Sequence, residues 1–405
     1  MIRRYLGSRA AVAVVTTLAA LALAVALLEL SSTPAQEASR GAFTTPWGEP
    51  DLQGIWSVEV QIPLERPAGV TKPFYTEAEV AEIDRKRAAA AHFGDRIAPR
   101  GTEADVSGAY NPVFTSVRPT GRRTSLVIDP PDGKIPPLTP EARERQAAYR
   151  QYQWALLQAT ESCKNRQPEC AGGTYGPPSP RLFEPPPVYP AAGIGPFNRA
   201  DGPEDRGLSE RCMGGSLPEF RGGFTGIHRR IVQSPGVVYI FYDAGQGQGW
   251  SRVVPITTAP HLPSHVRQWW GDSRGRWEGG TLVVDVTNFS PKTDFLGSGE
   301  NMHYVERWTR TGADTLELVA TMNDPTTWTR PWTVQQEFNL QNNEANRIYA
   351  EPRCHEGNYG LMALLSGARA AEKAHAEGRG PHPATACLSG CGVDPDGVLD
   401  PLALR

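Results

Sequence analysis

The segment 277–289 places a glycine pair directly ahead of alternating apolar residues. Leu282, Val284 and Val286 lie two positions apart, and successive side chains of a β-strand point to opposite faces, so these three share one face. A Gly-Gly pair between two strand-like runs is typical of a β-hairpin turn. The segment therefore predicts an antiparallel hairpin with one buried face.

Similar runs follow one another through the second half of the chain, with short turns between them. They predict strands over residues 231–242, 250–256, 266–270, 276–289, 302–310, 315–322 and 332–340. A further strand at Trp56 brings the number to about eight, a size of barrel whose interior holds side chains or one small ligand. We expect a mainly β fold, an antiparallel lipocalin-like β-barrel.

Helix-start signals predict two or three helices around this barrel. Thr76 with Glu79 three residues later forms a capping box, and Thr139 followed by Pro140 is a favourable N-cap and first helical position. A third helix is predicted over residues 361–376. The first two are expected to end near residues 94 and 162. Because the chain contains 41 Gly and 37 Pro, long Pro/Gly-rich loops are expected elsewhere.

The N-terminus has the pattern of an export signal. Three arginines precede a continuous apolar run at 10–28, and small residues follow it up to Ala35. We expect residues 1–35 to be a signal peptide cleaved after Ala35, and a periplasmic or secreted protein. The alternative is an uncleaved anchor, because the apolar run approaches the roughly 20 residues needed to span a bilayer.

The rest of the chain is predicted to be a single β-barrel domain with helical insertions over residues 36–380, followed by a loose tail over 381–405. Its 41 basic and 44 acidic residues are mixed along the sequence and give a formal charge of −3. No basic surface for nucleic acid or anionic lipid is therefore indicated. We expect no nucleic-acid partner, and membrane contact only through an uncleaved N-terminal segment.

An even number of cysteines in an exported chain indicates disulfides. The cysteines are Cys163, Cys170, Cys212, Cys354, Cys387 and Cys391. The short separations favour pairing the first with the second and the fifth with the sixth, which leaves the third and fourth to close a long loop. Spacing alone does not fix this connectivity. The chain lacks two C-x-x-C pairs, so no structural zinc site is predicted.

Five motifs are spread over most of the exported chain: DLQGIW at 51–56, RTSLVIDPPDG at 123–133, WGDSRGRWEG at 270–279, ER at 306–307 and CHEGNY at 354–359. Together they resemble a large, uncharacterised family of exported bacterial proteins. The resemblance implies export and no particular reaction. The chain departs from the family pattern at Gly280, where Asp is expected, and in its cysteine-bearing tail. Separately, Gly54-Ile55-Trp56 resembles the Gly-x-Trp of lipocalin-like (calycin) barrels, which implies that Trp56 packs across the barrel base.

A single carboxylate is expected on an inner face of the barrel. Tyr304, Glu306 and Trp308 alternate along one predicted strand and share a face on which Glu306 is the only charged group. A buried carboxylate must be paired, hydrogen-bonded or protonated. One interpretation is an ion pair with Arg252 or Arg276. The other is an acid or base whose pKa is raised by burial.

Polar groups among inward aromatic side chains suit a site that orients a small apolar or aromatic ligand. By the same alternation Gln336 is a second inward polar residue. The predicted ligand contacts, besides Glu306 as the principal polar contact, are Trp56, Arg252, Tyr304, Trp308, Trp332 and Gln336.

Two histidines could add acid or base groups to Glu306 as tentative catalytic residues. His303 lies three residues from Glu306, so on a strand the two point to opposite faces and cannot share a metal ion; no metal site is predicted. His355 follows Cys354 and has a structural alternative, the pairing of a backbone carbonyl. Asp272 and Arg274 are assigned to a turn over 271–275, where Asp commonly caps backbone amides.

Familiar catalytic motifs are missing from the sequence. It contains no G-x-S-x-G, Walker loop, His-Glu-x-x-His or C-x-x-C-H, and the glycine-rich segment 245–249 is followed by a strand pattern and not by a helix. No cofactor is therefore predicted. Three functions remain open: binding of a small molecule in the barrel, a cofactor-free isomerase, hydratase or lyase in the same cavity, or an envelope protein-interaction module.

Overall fold

The computed structural model describes ten stretches of the chain. They are residues 43–90, 118–159, 178–187, 199–208, 210–213, 215, 217–220, 228–245, 248–341 and 359–385. The chain divides into two compact units, Met1–Asp51 with Thr311–Ala313, and Leu52–Arg310 with Asp314–Arg405. In the first unit a tight turn is closed by the amide of Thr45, which donates to the carbonyl of Glu49 (2.8 Å). The predicted domain bounds stay a prediction.

The second unit contains one antiparallel sheet. Its strands are β1 (Gly54–Ser57), β2 (Val127–Asp129), β3 (His228–Ser234), β4 (Val237–Gly245), β5 (Gln248–Pro255), β6 (Asp272–Glu278), β7 (Thr281–Thr287), β8 (His303–Arg310), β9 (Thr315–Asn323) and β10 (Trp332–Leu340). The order is β5-β4-β3-β1-β10-β9-β8-β7-β6, with β2 attached to β10. These nine strands form a nearly closed barrel, which confirms the predicted fold class.

The barrel closes where β5 meets β6. Since nine strands alternate in direction, the first and last run parallel. They meet at a parallel bridge between Ile256 and Gly275, where the amide of Thr257 donates to the Gly275 carbonyl (3.0 Å). A Cβ on Gly275 would lie 2.8 Å from Ile256 Cδ1 and 2.9 Å from Val254 Cγ1. Glycine therefore allows β5 and β6 to approach each other closely at this closing line, which we call the seam.

Two short strands share one edge of β10. β1 pairs only with Asn339 and Leu340, at the end of β10, whereas β2 pairs with Thr333 and Val334 near its start. In addition, the amide of Gln335 donates to the carbonyl of Leu126 (2.9 Å). The segment around β2 thus satisfies backbone groups of β10 that the four-residue β1 leaves uncovered.

The Gly-x-Trp segment has a packing role. Gly54 has φ +146°, and a Cβ there would lie 2.6 Å from Leu340 Cδ1, so glycine allows β1 to approach β10. Trp56 is fully buried, donates from Nε1 to the carbonyl of Leu52 (2.9 Å), and has the Arg310 guanidinium 5.4 Å from its ring centre. Its indole is therefore fixed inside the barrel.

Three predicted strands differ from the structure. The predicted strand 231–242 is a hairpin of β3 and β4, because Pro235 lacks an amide donor and Gly236 has φ +77°. The predicted strand 266–270 is a turn region, in which only Gln268 forms a bridge, to Phe289. The predicted strand 276–289 contains the end of β6 and all of β7, so the barrel wall has nine strands and not about eight. The predicted hairpin with its Gly-Gly turn is confirmed by the pairing of β6 with β7.

Three helices accompany the barrel: α1 (Glu77–Ala90), α2 (Pro140–Leu157) and α3 (Tyr359–Ala376). Both predicted caps are present. The amide of Thr76 donates to Glu79 Oε2 (2.8 Å), and Thr139 Oγ1 accepts from the amide of Ala142 (3.1 Å). Among the described residues, no helix is both long and apolar enough to cross a membrane.

Candidate functional site

The inner face of β8 carries the residues that alternation predicted. Tyr304, Glu306 and Trp308 are buried, whereas His303 on the opposite face is partly exposed. The same alternation on β10 turns Trp332 and Gln336 inward. The structure therefore brings the predicted polar and aromatic side chains into one barrel interior.

Glu306 forms a buried ion pair with Arg252. Its Oε2 contacts the NH2 group of Arg252, and its Oε1 accepts a hydrogen bond from the hydroxyl of Tyr304 (2.9 Å). Only 1% of Glu306 and 5% of Arg252 is exposed. Arg276, the other candidate, instead pairs with Glu278 on the outside (2.7 Å). The ion-pair interpretation with Arg252 is thus the one observed.

The neighbours of Arg252 keep its guanidinium charged. Burial by itself would lower the pKa of Arg252, but Glu306, together with Tyr242 and Tyr304, more than offsets this and holds the pKa above its usual value. The pKa of the Tyr304 hydroxyl is raised, first by burial and then by the charge of Glu306. Tyr304 therefore stays protonated and donates to the carboxylate.

An aromatic stack extends from the ion pair. The Tyr242 ring lies 5.8 Å from the guanidinium carbon of Arg252 and 4.5 Å from that of Arg229. Tyr242 stacks on Trp250 with ring centres 4.1 Å apart, and Trp250 stacks on Trp270 at 4.6 Å. Two cations and three stacked rings thus form one wall of the site.

The segment 217–220 packs against the same interior. The Phe220 ring meets the Tyr304 ring edge-on at 6.2 Å, and its carbonyl accepts from Gln336 Nε2 (3.1 Å). The neighbouring Glu219 carbonyl accepts from Arg229 NH2 (3.0 Å). These contacts fix the segment against the polar cluster, and sequence alternation gave no signal for them.

Strand register places small side chains beside Glu306. Its row across the wall contains Gly275, Val284, Ala320 and Val334. The rows on either side contain larger residues: Tyr304, Met322 and Trp332 in one, and Trp308, Leu318 and Gln336 in the other. The side chains that project inward beside Glu306 are therefore smaller than those in the two neighbouring rows.

Several buried polar atoms on the inner face have no hydrogen-bond partner within the described part of the chain. They are Nε and NH1 of Arg252, Nε of Arg229, the hydroxyls of Tyr242 and Ser273, Nε1 of Trp277, Trp308 and Trp332, and Oε1 of Gln336. Most buried polar groups in folded proteins are paired, so a cluster of unpaired ones needs an explanation. Trp56 and Tyr304 differ from the other predicted ligand contacts, because Trp56 Nε1 donates to a backbone carbonyl and the Tyr304 hydroxyl donates to Glu306.

His303 belongs to a second polar cluster, on the outer face of β6 to β8. Its Nε2 lies 3.1 Å from Asp285, which also contacts His261 Nε2 at 2.9 Å. The other ring nitrogen of His261 lies 2.9 Å from Asp272, and Arg274 is 3.2 Å from the same carboxylate. His303 and Glu306 are thus on opposite faces, as alternation predicted.

The assignment of Asp272 and Arg274 to a turn over 271–275 was wrong. Both lie in β6, where Asp272 is opposite Thr287 and Arg274 is opposite Asp285. The alternation that turns Leu282, Val284 and Val286 inward turns Asp285 outward, and this signal could have revealed the outer cluster.

Hydrogen bonding shifts the pKa values of His303 and Asp285 in the outer cluster. The hydrogen bond to Asp285 raises the pKa of His303, against the opposing effect of burial. The hydrogen bond from His303 lowers the pKa of Asp285.

No group of three or more His, Cys, Asp or Glu side chains in the described residues is arranged to hold a metal ion.

The remaining predicted site residues are only partly described. His355 lies outside the described residues, as do all predicted cysteines except Cys212. Cys212 is disulfide-bonded, and the connectivity stays a prediction.

No family model, curated protein or solved structure matches this chain.

Proposed function

We propose that the protein binds a small, largely apolar or aromatic molecule inside its barrel. The observation that carries this proposal is the set of unpaired, buried polar atoms on an otherwise aromatic inner face. Leaving a buried donor or acceptor unpaired costs about 1–3 kcal/mol, and more for a charged group. A ligand that pairs with some of these atoms removes that cost on binding.

The ion pair supports binding more than acid or base catalysis. Both carboxylate oxygens of Glu306 are engaged, one by Arg252 and one by Tyr304. A carboxylate held in this way by two protein donors orients its partners. His303, the other described candidate base, lies on the outer face. The predicted isomerase, hydratase or lyase is therefore the second candidate, supported only by the Tyr304–Glu306 contact.

An interaction module has one observation in its favour. Val232, Tyr239 and Val253 are exposed and lie opposite one another on β3, β4 and β5. They form a small apolar row on the outer wall, which suits contact with another protein. The row is independent of the interior, so this function is compatible with ligand binding.

Export is proposed together with binding. The positive and apolar pattern of residues 1–35 supports a signal peptide and a periplasmic or secreted location. The disulfide at Cys212 suits an oxidising compartment. Membership of the uncharacterised exported family, and membrane contact only through an uncleaved N-terminus, belong to the same proposal.

Native mass spectrometry of the purified chain without residues 1–35 tests binding. We expect a co-purifying small molecule that is released on denaturation and lost or reduced in Glu306→Gln. The matched control is Glu337→Gln, since Glu337 lies on the outer face of β10. Binding is contradicted if no added mass is found and the apolar probe phenylnaphthylamine shows no saturable fluorescence increase. An unchanged ligand in Glu306→Gln would remove Glu306 from the site.

A further inference from the structure

We infer that the ligand is a neutral molecule with a carbonyl oxygen, which accepts hydrogen bonds from Arg252; this inference rests on the proposed binding function. Most of the unpaired groups are hydrogen-bond donors. The guanidinium nitrogens of Arg252 and Arg229 and the three indole nitrogens can only donate, the hydroxyls of Tyr242 and Ser273 can do both, and on the inner face of the described chain only Gln336 Oε1 is solely an acceptor. The site therefore lacks acceptors.

Because these unpaired donors are buried, water cannot pair with them in place of a protein acceptor. Trp308 is 1% exposed and Trp332 is fully buried, so bulk water does not reach their indole nitrogens. Arg252 uses only its NH2 group on Glu306, while Nε and NH1 face no acceptor among the described residues. An entering acceptor atom would satisfy donors that the folded chain itself leaves unpaired.

Charge balance favours a neutral acceptor. Glu306 already neutralises Arg252. The carboxylate of Glu219, which like burial and Glu306 raises the pKa of Tyr242, balances the charge of the nearby Arg229. A ligand carboxylate at Arg252 would place a second negative charge beside the buried Glu306 carboxylate. Two buried like charges repel each other strongly, whereas a carbonyl accepts the same hydrogen bonds without an added charge.

The row of small side chains supplies the place for this group. Gly275, Val284, Ala320 and Val334 flank Glu306, and the aromatic rows lie on either side of that level. A flat apolar body packed against Trp308 and Trp332 would bring its polar end to the level of Arg252. The inferred ligand is therefore an aryl ketone or a similar conjugated carbonyl compound.

A matched series of probes separates the chemical features. Acetophenone carries a carbonyl, α-methylstyrene a carbon–carbon double bond and benzoate a carboxylate, and the three have nearly the same shape. The corresponding naphthalene compounds test a larger apolar body. Dissociation constants are measured by ligand-observed NMR titration with the full exported chain. We expect the ketone to bind at least about tenfold more tightly than either partner, the gain of one charge-assisted hydrogen bond.

The double variant Arg252→Met with Glu306→Gln removes both charges together. In this variant, the ketone and hydrocarbon are expected to bind equally, with circular dichroism and thermal unfolding as the check on folding. Equal binding of ketone and hydrocarbon to the unaltered chain overturns the carbonyl inference and leaves the binding function standing. Tighter binding of the carboxylate overturns the neutral-ligand inference. Failure of every probe, together with no co-purified molecule, overturns the binding function itself.

Discussion

Arg252 on β5 and Glu306 on β8 form an ion pair across the barrel interior, although β6 and β7 lie between their strands along the wall. The pair therefore connects the two sides of the seam at which the barrel closes. Neither side chain can move into water without leaving its partner buried and charged.

Removing one partner should destabilise the fold more than removing both charges. We expect Glu306→Gln or Arg252→Met to lower the free energy of unfolding by about 3–5 kcal/mol, because each leaves an uncompensated charge. The double variant should lose clearly less than the sum of the two single losses. Urea unfolding followed by tryptophan fluorescence measures this. Strictly additive losses would show that the pair is not coupled in the folded state.

Closing the barrel should depend on Gly275. We expect Gly275→Ala to lower the free energy of unfolding by about 1–3 kcal/mol, since its Cβ would overlap Val254 and Ile256. Gly367→Ala is the control, because it lies on an exposed face of α3 with nothing within 4 Å of the added Cβ. That control should be neutral or slightly stabilising. An equally neutral Gly275→Ala would mean that the seam can widen freely.

The loop before β6 should depend on Asn288. This residue has φ +59°, and its Nδ2 donates to the carbonyls of Leu262, Pro263 and Val266 at 2.9–3.1 Å. We expect Asn288→Gly, which tolerates the same φ, to leave these carbonyls unpaired and speed limited proteolysis of residues 257–270. Mass spectrometry of the fragments locates the cleavage. Unchanged proteolysis would show that other contacts hold the loop.

The outer cluster should make stability depend on pH. His303 has a pKa raised above its usual 6.5 by Asp285, so its contribution is present below that value and lost as pH rises through the raised pKa. Asp285 has a pKa lowered below its usual 3.8 by His303, so its contribution is present above that value and lost as pH falls through the lowered pKa. Stability from this pair should therefore be greatest between these limits.

Substitution of His303 tests this dependence. His303→Gln should cost more stability at a pH of about 5.5 than at about 8.5, and because His303 is partly exposed the difference should stay within about 1 kcal/mol. His265→Gln is the control, since His265 is exposed. Thermal unfolding at both pH values gives the comparison. The same cost at both pH values would mean that His303 contributes only packing.

Local sequence patterns predicted much of the fold and the inner face of the site. Alternation placed Tyr304, Glu306 and Trp308 inside, because a strand with one buried face allows little freedom in side-chain direction. The capping pairs at Thr76 and Thr139 likewise fixed the helix starts. Such features depend on neighbouring residues alone and can be read without a tertiary structure.

Features that depend on long-range contacts were harder to predict. The choice of Arg252 over Arg276 follows from which strands meet when the barrel closes, and alternation carries no such information. Asp272 was assigned to a turn because glycines flank it, although its partners in the sheet extend β6 through that position. The unpaired indole nitrogens could be found only once the neighbours of each ring were known.

The barrel has one longitudinal gap in its main-chain hydrogen bonding, between β5 and β6. Where β5 and β6 run alongside each other, a single bridge and close side-chain packing around a glycine replace continuous pairing. Local separation there breaks few hydrogen bonds, so amide exchange with solvent should begin along this line. For the proposed ligand, this line would be a route through the side of the wall that leaves the segment 217–220 in place against the polar cluster.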